Sequence, residues 1–371
     1  MRFTVDRSLL LKALSRVQGV IEKRSNMPIL SMVLLEASDA NLRISATDLE
    51  IAYRQVLNAS ITQDGSVATH GRKLFEILRE SNAEDIEITS LENSWIRISD
   101  GSARFNLAGL PAEEYPTQIE PADLELVEVD ASTISEMISK TIYAVTLEEA
   151  GFKLSGIYTE KVNETGGEVL RMVGTDGHRL SLVDKAIDGI ERLGLTAGVM
   201  IPKKGMNEIN RLASEGGLIQ IGFRQNNCVV KKDGAAIVIR LLDTKFPDYR
   251  AVIPKEAAHK FTVDRTVLLQ AMKKMLILSS ERYRAVKITL ADGILDLHST
   301  NPDLGEAEEK IPVEYHDEPL ELAFNARYFI DVLQNMHSAE VELGFVDNSK
   351  PCIIRGDSDQ GFLGLIMPMR I

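Results

Sequence analysis

The sequence predicts an α+β protein built from three copies of one unit, each with two amphipathic helices and a set of antiparallel strands. Two observations carry this. RFTVDRSLLLKAL, from Arg2 to Leu14, returns 258 residues later as KFTVDRTVLLQAM from Lys260, with eight of thirteen letters identical. Self-similarity at a long fixed spacing marks duplicated domains. A more divergent middle copy, VEVDASTISEMI from Val127 to Ile138, lies 124 residues after the first. The predicted domains are 1–124, 125–255 and 256–371 of the 371 residues.

Each copy opens with a short strand ending at an aspartate, Asp6, Asp130 or Asp264, which is a side chain suited to cap a helix. The helix that follows is apolar at helical spacing. Its predicted core face is Leu10, Ala13, Leu14 and Val17 in the first copy. The corresponding faces are Ile134, Met137, Ile138 and Tyr143, then Leu268, Ala271, Met272 and Met275. Alternating strands ending in Thr-Asp or Thr-Asn come next, at Leu42–Asp48, Leu170–Asp176 and Leu295–Asn301. A second helix recurs from His70, Pro202 and Asn325, and each copy closes near a proline: LPAEEYP at Leu110, LLDTKFP at Leu241 and IMPMRI at the end. Thr117–Glu125 and Val252–Lys260, where proline and charge break the pattern, read as linkers.

Composition bounds the function. Hydrophobic residues at 44% and charged residues at 26% are values of a globular chain. MRFTVDRS does not read as a secretion signal, no apolar run nears the ~20 residues of a membrane helix, and Cys228 and Cys352 have no metal-binding spacing. A soluble cytoplasmic protein is expected. The net charge of −13 argues against nucleic acid if taken as a sum, but a sum says nothing of how charge is segregated.

The repeats allow that segregation to be read. Aligned on the Val-Asp pair, Arg16 falls on Lys140 and Lys274. Aligned on Glu76, Glu208 and Asp331, Arg72 falls on Lys204 and Arg327, and Arg79 on Arg211 and Gln334. With Lys and Arg only 42 of 371 residues, two such columns from separate helices predict equivalent helix faces that present positive charge to one polyanion. Duplex DNA fits, provided the carboxylates lie elsewhere.

Signatures of catalysis are weak by comparison. No phosphate loop, nucleophile elbow, zinc-protease or paired C-x-x-C motif is present. Asp357 and Asp359 in GDSDQG resemble an ordinary turn, and GEAEEK at Gly305 a solvated or partner-facing edge. His178 stands out, because only the middle copy continues Thr-Asp with Gly-His-Arg-Leu; a ligand-binding role is expected for it.

TDLE at Thr47, TDGHRL at Thr175, FPDYR at Phe246 and the terminal MPMRI together resemble the bacterial DNA sliding clamp family, the beta subunit of DNA polymerase III, over the whole chain. The resemblance implies clamp-type domains and a head-to-tail homodimer whose six domains close around duplex DNA. Twelve helices about 10 Å across, set side by side, leave an opening on the order of 30 Å. Arg16, Arg24, Arg72, Lys73, Arg79, Lys140, Lys204, Arg211, Lys274 and Arg327 would face the DNA. The dimer contact implied sets Phe105 and Leu107 against Ile277 and Leu278, with Arg97 and Arg104 near Glu306, Glu308 and Glu309.

The family also holds short peptides of polymerases, the clamp loader and repair proteins. Carried over, that groove comprises Leu154, Thr175, Gly177, His178, Arg179, Leu180, Pro247, Val252, Asn325 and Tyr328. It is completed by the tail Leu365, Ile366, Met367, Pro368, Met369 and Arg370. Gly151 and Ala251 stand at its rim where relatives carry larger residues, and His70 replaces a frequent proline. No catalysis, cofactor or metal is implied. A repeat scaffold that binds only proteins, and a metal-dependent enzyme acting on DNA, are the competing readings.

Overall fold

The computed structural model describes residues 1–22, 26–116, 123–146, 154–164 and 166–369. The first repeat runs β1 (Arg2–Asp6), α1 (Arg7–Val17), β2 (Met32–Ser38), β3 (Asn41–Thr47), β4 (Ile51–Asn58), β5 (Ser60–Gln63) and β6 (Gly65–His70). It ends with α2 (Gly71–Glu80), β7 (Asp85–Ser90), β8 (Ile96–Ser99), β9 (Arg104–Leu107) and β10 (Gly109–Leu110). The second runs β11 (Val127–Asp130), α3 (Ala131–Ser139), β12 (Gly156–Glu164), β13 (Gly167–Thr175) and β14 (Arg179–Lys185). β15 (Val199–Pro202), α4 (Lys203–Ala213), β16 (Leu218–Arg224), β17 (Asn227–Lys232) and β18 (Ala235–Arg240) complete it. The third has β19 (His259–Asp264), α5 (Arg265–Ile277), β20 (Ala285–Ala291), β21 (Ile294–Asn301) and β22 (Gly305–Pro312). β23 (Leu320–Asn325), α6 (Ala326–Gln334), β24 (Glu340–Phe345), β25 (Cys352–Arg355) and β26 (Phe362–Ile366) follow.

The expected helix starts are where the aspartates place them. Asp6 Oδ1 accepts from the amide of Leu9 at 3.0 Å and Asp264 Oδ1 from that of Val267 at 2.8 Å. Asp130 Oδ1 accepts from Ser132 at 2.7 Å. These bonds satisfy amides that no helical carbonyl can reach. The apolar faces behind them are buried as predicted, with Tyr143 only partly so.

Two compact units divide the chain, and the division cuts through the middle repeat. Unit 1 holds Met1–Ser135, Glu191–Leu195 and Lys204–Leu241; unit 2 holds Glu136–Ile190, Thr196–Lys203 and Leu242–Ile371. The physical reason is strand pairing. In unit 1, β4 of the first repeat pairs antiparallel with β18 of the second, from Ile51↔Ile239 to Gln55↔Ala235. One nine-stranded sheet results, in the order β10-β6-β2-β3-β4-β18-β17-β16-β11. Unit 2 repeats the device: β14 pairs with β26, from Arg179↔Ile366 to Val183↔Phe362, in an eight-stranded sheet. A five-stranded sheet, β5-β1-β7-β8-β9, remains in unit 1 and a four-stranded one, β22-β21-β20-β23, in unit 2. Thr117–Glu125 lies mostly outside the described residues. Val252–Lys260 is irregular up to His259, as expected of a linker, after a short 3-10 turn over Tyr249–Val252.

Buried charge is paired within each unit. In unit 2, Lys140 Nζ sits 2.7 Å from both Glu136 and Asp359, with Lys140 only 1% exposed. Asp359 also accepts from the amides of His337 and Ser338 and from the Ser338 hydroxyl. Burial alone would raise this carboxyl, but Lys140 and these donors outweigh it and hold it down at about 2. A lowered carboxyl stabilises the fold above its unfolded value near 4, and that contribution disappears as pH falls from about 4 toward 2. We expect acid unfolding of the wild type to steepen in that window. Asp359→Ala should lose about 3–5 kcal/mol near neutrality, because it strands a buried cation. Urea melts across pH 2–7 measure both.

Candidate peptide groove and basic helix faces

The first basic column is not a solvent-facing one. Arg16 is 4% exposed in unit 1, with Nε and Nη2 on the two oxygens of Glu215 at 2.8 and 2.6 Å and Nη1 on Gln55. The Arg16 guanidinium holds the Glu215 carboxyl at about 2. Lys140, as described above, is buried in unit 2. Of the three, only Lys274 projects, paired with Glu309 at 2.7 Å. Arg16 and Lys140 therefore do not present charge to a partner, which corrects the expectation. These positions lie at the rim of the apolar helix face, where a cation entering the interior must take a carboxylate with it.

The second helices keep their cations in solvent. Arg72, Lys73, Arg79, Lys204, Arg211 and Arg327 keep side-chain exposures between 42% and 65%. Each is held by a carboxylate, such as Glu76 beneath Arg72 (3.1 Å) and Lys73 (2.8 Å), or Asp331 beneath Arg327 (2.9 Å). Lys204 pairs with Asp48. In unit 1, His70, Arg72, Lys73, Arg79 and Arg211 gather around a hollow of about 650 Å³. Glu208, an anchor of the repeat alignment, is buried, and that burial raises its carboxyl above its ordinary value. It packs on Gly19, where a Cβ would lie 1.9 Å from its Oε1. Arg24 falls outside the described residues.

The described residues of the expected groove all lie in unit 2. Leu154, Leu180 and Leu365 share an apolar cluster with Phe246, Tyr249 and Ile353, and Tyr158 stacks on Phe246 at 4.6 Å. Beside it Val252 and Met367, both exposed, line a hollow of about 410 Å³ with Ala251, Pro254, Val346 and Pro351. Pro247 is exposed next to Phe246. The turn after β13 is built by its first two residues. Thr175 Oγ1 accepts from the Gly177 amide and donates to the Arg179 carbonyl, while Asp176 Oδ1 accepts from the amides of His178 and Arg179. Gly177, at φ 83°, takes a left-handed conformation that suits glycine. The tail is pinned to this turn by Met367 N–H donating to the His178 carbonyl at 2.9 Å. Ile366 is buried in β26, Pro368 is half-buried, and Met369 N–H donates to Ala323 at 2.7 Å. Arg370 and Gly151 lie outside the described residues.

Two groove residues are committed to the fold. Arg179 pairs with Asp176 (3.0 Å) and Asp331 (2.6 Å), donates to the Tyr143 carbonyl and lies over the Tyr328 ring at 4.6 Å. Asn325 caps α6 by accepting from the Arg327 amide at 2.9 Å. Arg179 thus joins β14 of the middle repeat to α6 of the third. His178 itself points outward.

The dimer residues expected from sequence lie on the edge strands β9 and β22, on the neighbouring β8 and at one helix end. Phe105 is 40% exposed on β9, with Arg104 exposed and Leu107 half-buried; Arg97, on β8, contacts Asn106. Ile277 is 73% exposed at the end of α5, followed by half-buried Leu278. Glu306, Glu308 and Glu309 lie on β22, where Glu308 pairs with Lys310 and Glu309 with Lys274. The Asp359 carboxylate is consumed by Lys140 and Ser338, and the described residues contain no cluster of three metal-ligating side chains. Both cysteines are buried thiols, and no described helix is long and apolar enough to cross a membrane.

The DNA polymerase III beta subunit family matches with its N-terminal domain at residues 1–119, its central domain at 128–248 and its C-terminal domain at 250–370. The beta sliding clamp of Caulobacter vibrioides is 34% identical over 375 residues, with 100% of both chains covered, and that of Haemophilus influenzae is 34% identical over 376. Among solved structures, Caulobacter crescentus pol III beta superposes with a TM-score of 0.93 at 34% identity, covering 100% of each chain. The Bartonella birtlesii sliding clamp bound to griselimycin also has a TM-score of 0.93, at 33% identity over 100% of each chain. Three consecutive domain matches and full-length relatives leave one assignment: the chain belongs to the bacterial DNA sliding clamp family, the beta subunit of DNA polymerase III.

Proposed function

We propose that two copies of this chain join head to tail into a closed six-domain ring that encircles duplex DNA without regard to its sequence. The observation that carries this is the repeated use of one edge pairing. β4 meets β18 and β14 meets β26, the same two strand positions each time. The remaining members of the series, β22 and β9, pair on one side only among the described residues. Open edges are templates for pairing, and a heterologous contact that closes at two copies avoids a filament. Phe105 and Leu107 on one side suit Ile277 and Leu278 on the other, and Arg97 and Arg104 suit Glu306, Glu308 and Glu309.

Domain boundaries near 1–124, 125–255 and 256–371 go with this reading. The exposed cations of α2, α4 and α6, together with Lys274 and Arg24, then meet phosphates loosely enough to slide. The ring is non-enzymatic and works in the bacterial cytoplasm. It tethers the replicative polymerase, the clamp loader and repair proteins through short peptides. The unit-2 groove around Leu180, Val252, His178 and Met367 takes their apolar anchors. A scaffold that binds only proteins draws one point in its favour from the burial of Arg16 and Lys140, which removes one basic column.

Retention on DNA separates the two. Loaded by a matching loader onto nicked circles, the protein should survive a high-salt wash and leave once the circle is linearised. Contact binding would instead fall with salt at a slope of about −0.9 per phosphate, and a verified loader that leaves no salt-resistant protein on circles would favour the scaffold. Phe105→Asp with Ile277→Asp should give monomers in sedimentation while the melting temperature holds; a persistent dimer would refute the edge contact. Val252→Ala with Met367→Ala should weaken a polymerase-derived peptide at least about tenfold in fluorescence anisotropy while the melting temperature holds.

A further inference from the structure

β1 in unit 1 and β19 in unit 2 are one strand written twice, and only the first is covered. Both contain Phe-Thr-Val-Asp and pair with their neighbour in the same register: Phe3↔Ile88 to Asp6↔Asp85 on β7, and Phe261↔Leu343 to Asp264↔Glu340 on β24. The next residue closes each pairing, Arg7 N–H on the Glu84 carbonyl at 2.8 Å and Arg265 N–H on the Ala339 carbonyl at 2.9 Å. Alternation then turns the backbone groups of Phe261 and Val263 toward β24 and those of Lys260, Thr262 and Asp264 away from it. On β1 the corresponding groups of Arg2 and Thr4 meet β5, in the register Arg2↔Gln63, Phe3↔Ile61 and Thr4↔Ser60. β19 instead ends its sheet, and no described strand pairs with its outer side.

The two copies part at a single point. Ala59 N–H donates to the Ala40 carbonyl at 3.0 Å, and Val313 N–H makes the equivalent bond to the Gly293 carbonyl at 2.9 Å. From there Ser60–Gln63 runs along β1 as β5. In the third repeat Tyr315 turns inward and is buried. Its hydroxyl donates to the Glu318 carbonyl at 2.5 Å and lies 2.8 Å from His259 Nδ1. The chain is thereby held off the edge, and a hollow of about 950 Å³ lies along β19. Phe261, Val267, Ile311 and Val313 give it an apolar side. The charge around it is acidic. Glu314, Glu340 and Glu342 border it, and none of them makes an ion pair among the described residues. Lys260 is the cation among its lining residues, and Arg355 stands one strand further in, across from Glu342. Beyond Glu314 the chain continues with Asp317 and Glu318, both exposed.

We propose that the open edge of β19 is a docking site for an extended, basic segment of a partner protein, which adds to it as an antiparallel strand in the register that β5 takes on β1. Two observations choose this occupant. The outward backbone groups of Lys260 and Thr262 repeat the arrangement that already binds a strand in the first repeat, and an open edge is a template for such pairing. The unpaired carboxylates select cationic side chains on the added strand, and they oppose the pairing of two β19 edges with each other. Opposite Phe261, at the place Ile61 holds beside Phe3, an aliphatic residue fits. The site shares no residue with the unit-2 groove at Leu180 and Val252 and does not depend on it.

The test uses the full chain and a fluorescein-labelled peptide of alternating Lys and Ile, read by fluorescence anisotropy. This peptide should bind at least tenfold more tightly than one of alternating Glu and Ile. It should also exceed, by the same margin, a Lys-Ile peptide N-methylated at its lysine backbone amides, which keeps the charge but cannot join a sheet. Thr262→Pro removes an outward amide and leaves the β24 ladder whole. That variant, and separately Glu340→Lys with Glu342→Lys, should each weaken binding at least tenfold. Independently of any variant, hydrogen exchange on the wild type should slow at the Lys260 and Thr262 amides when the peptide binds, and stay unchanged at Phe261 and Val263. Equal binding of the N-methylated peptide would mean charge attraction alone and would overturn the added strand. Unchanged exchange at Lys260 and Thr262, an absence of binding, or binding abolished by Val252→Arg, which blocks the unit-2 groove, would overturn it too.

Discussion

Antiparallel pairing between the edge strand of one repeat and the edge strand of the next is the interaction on which the rest depends. A sheet edge is a row of unsatisfied amides and carbonyls, and a repeat with two such edges is unfinished by itself. β4 with β18, and β14 with β26, satisfy four of these edges inside the chain. The same pairing makes the compact units cut through the middle repeat instead of following the domain boundaries of the sequence. It also brings Leu180 beside Leu365, so the apolar wall of the proposed unit-2 groove is a product of sheet continuity and not of either repeat alone.

Charge is organised around that framework. The acidic excess does not prevent a basic surface, because carboxylates are used to hold the cations in place. Glu76 steadies Arg72 and Lys73, and Asp331 steadies Arg327 while also receiving Arg179. Exposed pairs of this kind contribute little to stability and remain available to exchange a carboxylate for a phosphate. The interior pairs are different in kind. Arg16 with Glu215, and Lys140 with Asp359, are buried too deeply to exchange, and they act as fixed joints of their units.

The TDGHRL segment combines both roles over a few residues. Thr175 and Asp176 shape the turn and Arg179 anchors it to α6, which leaves His178 displayed on a rigid mount. A displayed side chain held by a network of this sort loses little freedom when a ligand arrives, which favours binding. The recurrence of the turn at Thr47 without the Gly-His pair separates the part of the motif that folds the chain from the part that is displayed.

Much of this is legible in the sequence. The triplication, the capping aspartates and the apolar faces behind them follow from local rules: a strand alternates, a helix repeats every 3.6 residues, and a carboxylate caps free amides. Leu10, Leu14, Ile134 and Met272 are buried because those rules act within one element. The repeats also pointed to the second-helix cations, which are exposed, and the residues of the proposed groove and dimer contact follow from the family resemblance. Arg16 and Lys140 show where reading along the chain stops. Helix spacing put them at the rim of a face, but whether a rim position is wet or dry depends on carboxylates 199 and 219 residues away, at Glu215 and Asp359. Sequence by itself determined the elements, their order and their repetition, because those are local and periodic. Tertiary structure alone decided which cations are free and which edges are covered, because burial and strand pairing join residues that the chain keeps far apart.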